Sequence, residues 1–139
     1  MTIKHLLDND LFFSALTIGH PNYRRARVWL DNAKPGGWGI AVETYLSAMR
    51  LLMNPTLMGS SVFTAEKAIA IIEEELTGEH PGRIVFAKEK PAAAIVGRAR
   101  GHKQVMDFWL VQLARQEGCK LATLDEGTLA NWPDVAVRV

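Results

Sequence analysis

Ile3-Lys4-His5-Leu6-Leu7-Asp8 is a short strand-like run that closes on an acid. The pattern returns in Trp38-Gly39-Ile40-Ala41-Val42-Glu43 and in Lys120-Leu121-Ala122-Thr123-Leu124-Asp125. Between these runs apolar residues recur at helical spacing, so strands alternate with helices. That order builds a largely parallel sheet with helices on its faces, an α/β fold. In such a sheet ligands bind in the crevice beyond the carboxyl ends of the strands. Asp8, Glu43 and Asp125 each follow a strand-like run directly, and Asp107 opens a helix-like run. Four carboxylates gathered there repel one another, by roughly 4 kcal/mol per pair at about 4 Å and an effective dielectric near 20. Such a cluster persists when a cation neutralises it or when some members stay protonated. The sequence therefore points to a divalent-cation site and a metal-dependent reaction on phosphate.

The composition is consistent with an enzyme of this kind and narrows the alternatives. A chain of 139 residues, 48% of them hydrophobic, is expected to form one domain over 1–139 with a proper core. No apolar run approaches the roughly 18 residues that a membrane helix needs, so no membrane association is expected. The amino terminus enters a strand-like run without the basic, apolar and small-residue segments of a signal peptide. One cysteine, Cys119, excludes an internal disulfide and offers no thiolate metal site. A cytoplasmic protein is the simplest account. The net charge of +1 identifies no partner, so any nucleic-acid surface has to be local.

Along the chain, Asp10 to Leu16 forms a short helix-like run that Gly19-His20-Pro21 breaks, and Pro21 opens a second one reaching Asn32. Lys34-Pro35-Gly36-Gly37 is a turn. Val42, Tyr45, Leu46, Met49, Leu52 and Met53 recur at helical spacing, leaving Glu43, Ser47 and Arg50 on the opposite stripe. Asn54-Pro55 ends that helix. Thr64 is a candidate N-cap for a helix with Ala65, Ala68, Ile69, Ile72 and Leu76 on one face. Ile84 to Phe86 is a strand candidate, Pro91 to Val96 a short helix, and Arg98 to Lys103 a basic connector. Met106 to Glu117 reads as an apolar helix stopped by Gly118, and Val135 to Val139 as an edge strand.

Four segments carry a family resemblance. They are Leu6-Leu7-Asp8-Asn9-Asp10-Leu11; His20-Pro21 with Ala26 to Leu30; Trp38 to Pro55 with Glu43, Arg50 and Asn54-Pro55; and Val105-Met106-Asp107 through Leu121-Ala122-Thr123-Leu124-Asp125. In this order they resemble the PIN-domain ribonucleases and, within them, the VapC-like toxins of bacterial toxin–antitoxin pairs. The resemblance spans nearly the whole chain. It implies a three-layer α/β/α sandwich with a mostly parallel sheet, and acids at one end holding Mg²⁺ or Mn²⁺. It also implies cleavage of RNA, inhibition by a cognate antitoxin protein, and a homodimer. Asp10 stands where many members carry Asn, which adds a negative charge to the site.

Phosphodiester hydrolysis needs an activated water and relief of the charge that builds on phosphate oxygens, and hard cations on carboxylates provide both. Asp8 and Asp107 are the expected direct ligands, with Asp125 in support. Glu43 meets a second ion or positions the attacking water. Asn9, Asp10 and Thr123 are candidates to surround these ligands with hydrogen bonds. Arg50, Arg98, Arg100 and Lys103 are candidate phosphate contacts, with Arg24, Arg25, Arg27 and His102 as further basic residues. Each acid also has a plainer reading. An Asp after a strand commonly caps the next helix, and Glu43 suits a first helical turn. The four tryptophans read as core, the histidines as structural or exposed, and Cys119 as inert.

Two other readings compete. Asp8-x-Asp10 matches the strand-end pair of haloacid-dehalogenase-like phosphatases, but Phe12 stands where they need Thr or Val, and the chain is short for their cap. A catalytically idle PIN-like nucleic-acid-binding module is the other, and the presence of all four acids argues against it.

Overall fold

The computed structural model describes residues 2–91 and 101–139. Five strands, β1 (His5–Leu7), β2 (Trp38–Ala41), β3 (Arg83–Val85), β4 (Lys120–Thr123) and β5 (Ala136–Arg138), form one sheet in the order β3-β2-β1-β4-β5. Every pairing is parallel. The chain starts at the centre, winds out to β3, then crosses to β4 on the other side of β1. The winding direction therefore reverses between β1 and β4, and it is beyond the carboxyl ends of these two strands that an open parallel sheet leaves a crevice.

Seven α-helices lie among the described residues: α1 (Asn9–Leu16), α2 (Tyr23–Ala33), α3 (Val42–Leu52), α4 (Pro55–Met58), α5 (Ala65–Leu76), α6 (Val105–Glu117) and α7 (Glu126–Asn131). Successive strand residues point to opposite faces. Leu7, Ile40 and Ala122 join one core with Leu11, Phe12, Leu30, Ala48, Leu52 and Ile72 of α1, α2, α3 and α5. Leu6, Ala41 and Leu121 join a second with Trp109, Leu110, Leu113 and Ala114 of α6. The result is the expected three-layer α/β/α sandwich. Burial on both faces explains why β2 reads as an unbroken apolar run.

Local chemistry sets the element ends. Asn54 accepts the Thr56 backbone N–H at 2.9 Å, and Pro55 takes the first helical position. Asn54-Pro55 thus ends α3 and also starts α4. Thr64 caps α5 through the Lys67 N–H, as expected. Gly118 stops α6 in a left-handed conformation (φ +66) that a side chain would strain. At Gly39 a Cβ atom would sit 2.5 Å from the Arg83 carbonyl oxygen, so β2 and β3 pair closely there only with glycine.

Several expected boundaries shift. β1 begins at His5 instead of Ile3, β3 begins one residue earlier at Arg83, and Val42 belongs to α3 instead of β2. The buried face of α3 is also rotated from the expected one. Thr44, Ala48 and Leu52 are fully buried, whereas Leu46 is 58% exposed and Met53 37%. Small side chains on that face let α3 approach α1 and α5 closely, and that packing outweighs the larger apolar stripe. On α5, Ala68, Ile72 and Leu76 are buried and Ile69 is 40% exposed. The helix expected over Pro91 to Val96 falls outside the described residues apart from its first.

Candidate active site

The register that sets Leu7 opposite Ala122 brings Asp8 level with Thr123. Asp8 follows β1 and is 9% exposed. Its Oδ1 accepts the Leu11 backbone N–H at 2.8 Å, so it caps α1, and its Oδ2 accepts the Thr123 hydroxyl. Thr123 Oγ1 in turn accepts the Asp125 backbone N–H at 2.9 Å. Asp125 caps α7 with one oxygen only. Its Oδ2 accepts from the Thr128 N–H at 2.8 Å and the Thr128 hydroxyl at 2.7 Å. The plain capping reading therefore holds for both acids, and it fixes their orientation at the mouth of the crevice.

Asp8, Asn9, Asp10, Asp107, Asp125 and Glu126 share the wall of a single open cleft of about 780 Å³. Among the described residues no lysine or arginine lines it. Burial pushes the Asp8 carboxyl up to about 7, with Asp10 and Asp107 adding to the rise and the Thr123 and Leu11 hydrogen bonds opposing it. Asp107, in the first turn of α6, is raised by desolvation and by Asp125. Asp10 is exposed and faces His20 at 4.0 Å. His20 itself is held by the Asn22 N–H, which donates to Nδ1 at 3.0 Å.

Glu43 is set apart from that wall. It lies in the first turn of α3, and its Oε1 accepts the Trp109 indole N–H at 2.7 Å. Among the described residues its Oε2 is buried without a hydrogen-bond partner. The next residue, Thr44, donates its hydroxyl to Asn9 Oδ1 at 2.6 Å, tying the Glu43 turn to the residue beside Asp8. Neither Thr44 nor Trp109 was evident as a partner of the acids in the sequence. The available signal was that a buried indole N–H requires an acceptor.

No protein-family model matches the chain. Ribonuclease VapC29 of Mycobacterium tuberculosis, in strains CDC 1551 / Oshkosh and ATCC 25618 / H37Rv, is 31% identical over 137 residues, covering 96% of this chain and 95% of the relative. The chain belongs to the VapC ribonuclease family. Ribonuclease VapC38 of M. tuberculosis ATCC 25618 / H37Rv is 26% identical over 122 residues, 88% of this VapC chain and 85% of the relative.

The carboxylates of this VapC cleft offer oxygen donors, which suit a hard cation. Among the described residues no three His, Cys, Asp or Glu side chains stand close enough to share one ion. The Glu43 Oε2, without a hydrogen-bond partner among the described residues, and the Asp8 carboxyl, raised by burial, are compatible with a cation bound at these acids. The thiol of Cys119 takes no part. Burial pushes it up to about 11.

The basic residues are placed elsewhere. Arg50 is exposed beside Leu46, Met49, Met53 and Asn54 and does not line the acid cleft. Arg27 pairs with Asp31 and Glu75, and Arg25 donates to the Val139 carbonyl oxygen at 2.9 Å, so both fasten the fold. Arg24 is exposed, as is His102. Arg98, Arg100 and the Lys103 side chain lie outside the described residues. Trp38 is fully buried and donates its indole N–H to the His80 carbonyl oxygen at 2.9 Å, while Trp29 and Trp132 are only partly buried.

Proposed function

We propose that this VapC chain is a metal-dependent endoribonuclease, the toxin of a toxin–antitoxin pair, using Mg²⁺ or Mn²⁺ on its acid cleft. The supporting observation is the cleft itself. Asp8, Asp10, Asp107 and Asp125 share its wall, and no lysine or arginine among the described residues offsets them. Such a cleft repels a phosphodiester until a cation neutralises it.

A bound Mg²⁺ or Mn²⁺ supplies an activated water and offsets charge on the phosphate oxygens. Asp8 and Asp107 would hold it, Asp8 through lone pairs that its cap and its Thr123 bond leave over. Asp125 would support them through a water on Oδ1, the oxygen its cap does not use. Thr123 locks Asp8 and Asp125 into one geometry. Asn9 holds the α3 turn, and through it Glu43, beside the cleft, where Glu43 orients the attacking water. Backbone contacts to RNA fall to basic residues outside the cleft, with Arg50, Arg98, Arg100 and Lys103 as candidates.

Two partners complete the reading. An antitoxin would bring a cationic side chain to the acids and lay apolar residues in the adjoining groove of Phe13, Leu16, Ile18, Leu52, Leu57 and Phe63. Groove and cleft meet where His20 faces Asp10. A second copy of the chain would cover the apolar surface that Leu46 and Ile69 expose on α3 and α5 and Met53 exposes just beyond α3.

The test is expression in a bacterial host. The wild-type chain should slow growth, Asp8→Ala should relieve the effect, and so should co-expression with the small gene adjacent to its own, through a complex that co-purifies. A wild-type chain that is harmless at high expression contradicts the toxin reading.

A further inference from the structure

Asp107 and Trp109 lie two residues apart on α6, so they leave the helix on nearly opposite sides. Asp107 reaches the cleft, while Trp109, 8% exposed, belongs to the second core together with Ala41 at the end of β2. Its indole N–H is thereby held in one direction, toward Glu43 Oε1 at 2.7 Å. The other carboxylate oxygen is buried and has no hydrogen-bond partner among the described residues. An unpartnered buried carboxylate oxygen is costly and rare in a folded protein. Its presence beside the acid cleft argues for a ligand.

We infer that Trp109 is a positioning residue, whose indole fixes the Glu43 carboxylate next to the cleft and leaves Oε2 free for the cation or its water. The inference rests on the proposed metal-dependent reaction and adds to it the residue through which α6 controls α3. An indole suits this task because it donates a hydrogen bond and carries no charge. An arginine or lysine in its place would hold Glu43 and also neutralise it. Thr44 completes the arrangement by anchoring the same turn to Asn9 at 2.6 Å. Asp107 and Glu43, from opposite sides of the sheet, are thus set by one helix.

The experiment measures Mn²⁺ binding to the purified chain by electron paramagnetic resonance, alongside RNA turnover and the thermal midpoint. Trp109→Phe keeps an aromatic, though smaller, side chain and removes the N–H. It should lower Mn²⁺ affinity and turnover by about 10- to 100-fold, the range seen when partners of metal ligands are lost. Glu43→Gln should weaken both as well, and adding Trp109→Phe to it should cause no further loss. A plain fastening of α3 to α6 would lower the thermal midpoint in both backgrounds and leave Mn²⁺ affinity unchanged, and that outcome overturns the inference. So does tighter binding in Trp109→Phe, which would mean that the indole restrains Glu43.

If Trp109→Phe does not fold, the indole N–H resonances of the wild-type chain decide. The resonance displaced in Glu43→Gln should also move on adding Mg²⁺, and no movement overturns the inference. If the wild type binds Mn²⁺ and cleaves RNA while both single variants match it, the inference fails and the ribonuclease reading stands. If the wild type binds no Mn²⁺, the proposed function fails first and takes the inference with it.

Discussion

Thr123, the last residue of β4, donates its hydroxyl to Oδ2 of Asp8, the residue that follows β1. This bond crosses the point where the sheet reverses its winding, and the same hydroxyl oxygen accepts the Asp125 N–H at 2.9 Å. Two acids more than a hundred residues apart are therefore held by a single fully buried side chain.

Thr123→Val keeps the shape and removes both bonds. Leaving a buried acceptor and a backbone donor unpaired should cost about 1–3 kcal/mol of stability. The same change should lower cleavage about 10- to 100-fold, while Thr123→Ser retains both properties. Urea denaturation and turnover of the two variants check this. A Val variant as active as the wild type would remove Thr123 from the site.

The metal-free protein should lose stability as pH rises. Asp8 titrates near 7 in the folded chain and near 3.9 when unfolded, so between these values the folded state binds a proton that the unfolded state lacks. Its contribution is full below pH about 4 and lost as pH climbs through 7, amounting to at most about 4 kcal/mol. Denaturation in EDTA from pH 4.5 to 8 should show this slope, and Asp8→Asn should flatten it. Parallel slopes in both proteins would contradict the account of Asp8.

Leu46→Glu should separate a dimer into single chains. Leu46 is 58% exposed in the lone chain, so the change should alter intrinsic stability by no more than about 0.5 kcal/mol. Sedimentation equilibrium of the wild type should give twice the chain mass, and of the variant one. A wild type that sediments as one chain contradicts the dimer.

Much of the fold was legible because the central strands carry short apolar runs, Leu6-Leu7, Trp38 to Ala41 and Leu121-Ala122, that are buried in the sheet. Acids placed straight after those strands could then be assigned to one end of the sheet without knowing the strand order. The packing of α3 was not legible. Thr44 and Ala48 have little hydrophobic weight, so the larger Leu46 and Met53 dominated the helical period while the small residues set the contact. The partners of the acids were equally hidden. Thr44 with Asn9 and Trp109 with Glu43 depend on how layers from distant segments dock, and no local spacing encodes that docking. Arg50 shares a helix stripe with Glu43, yet it faces solvent beside Leu46 and Met53, because seven residues of helix carry it about 10 Å along the axis.

RNA cleavage by the wild type and Asp107→Asn, each with Mg²⁺ and with EDTA, tests the central claim most directly. Asp107 is raised by burial and by Asp125, so its neutral variant should be at least as stable as the wild type in EDTA. The account predicts cleavage by the wild type with Mg²⁺ only, and none by the folded Asp107→Asn chain in either condition. Robust cleavage in EDTA by a preparation free of contaminating nuclease, or by Asp107→Asn with Mg²⁺, would contradict it.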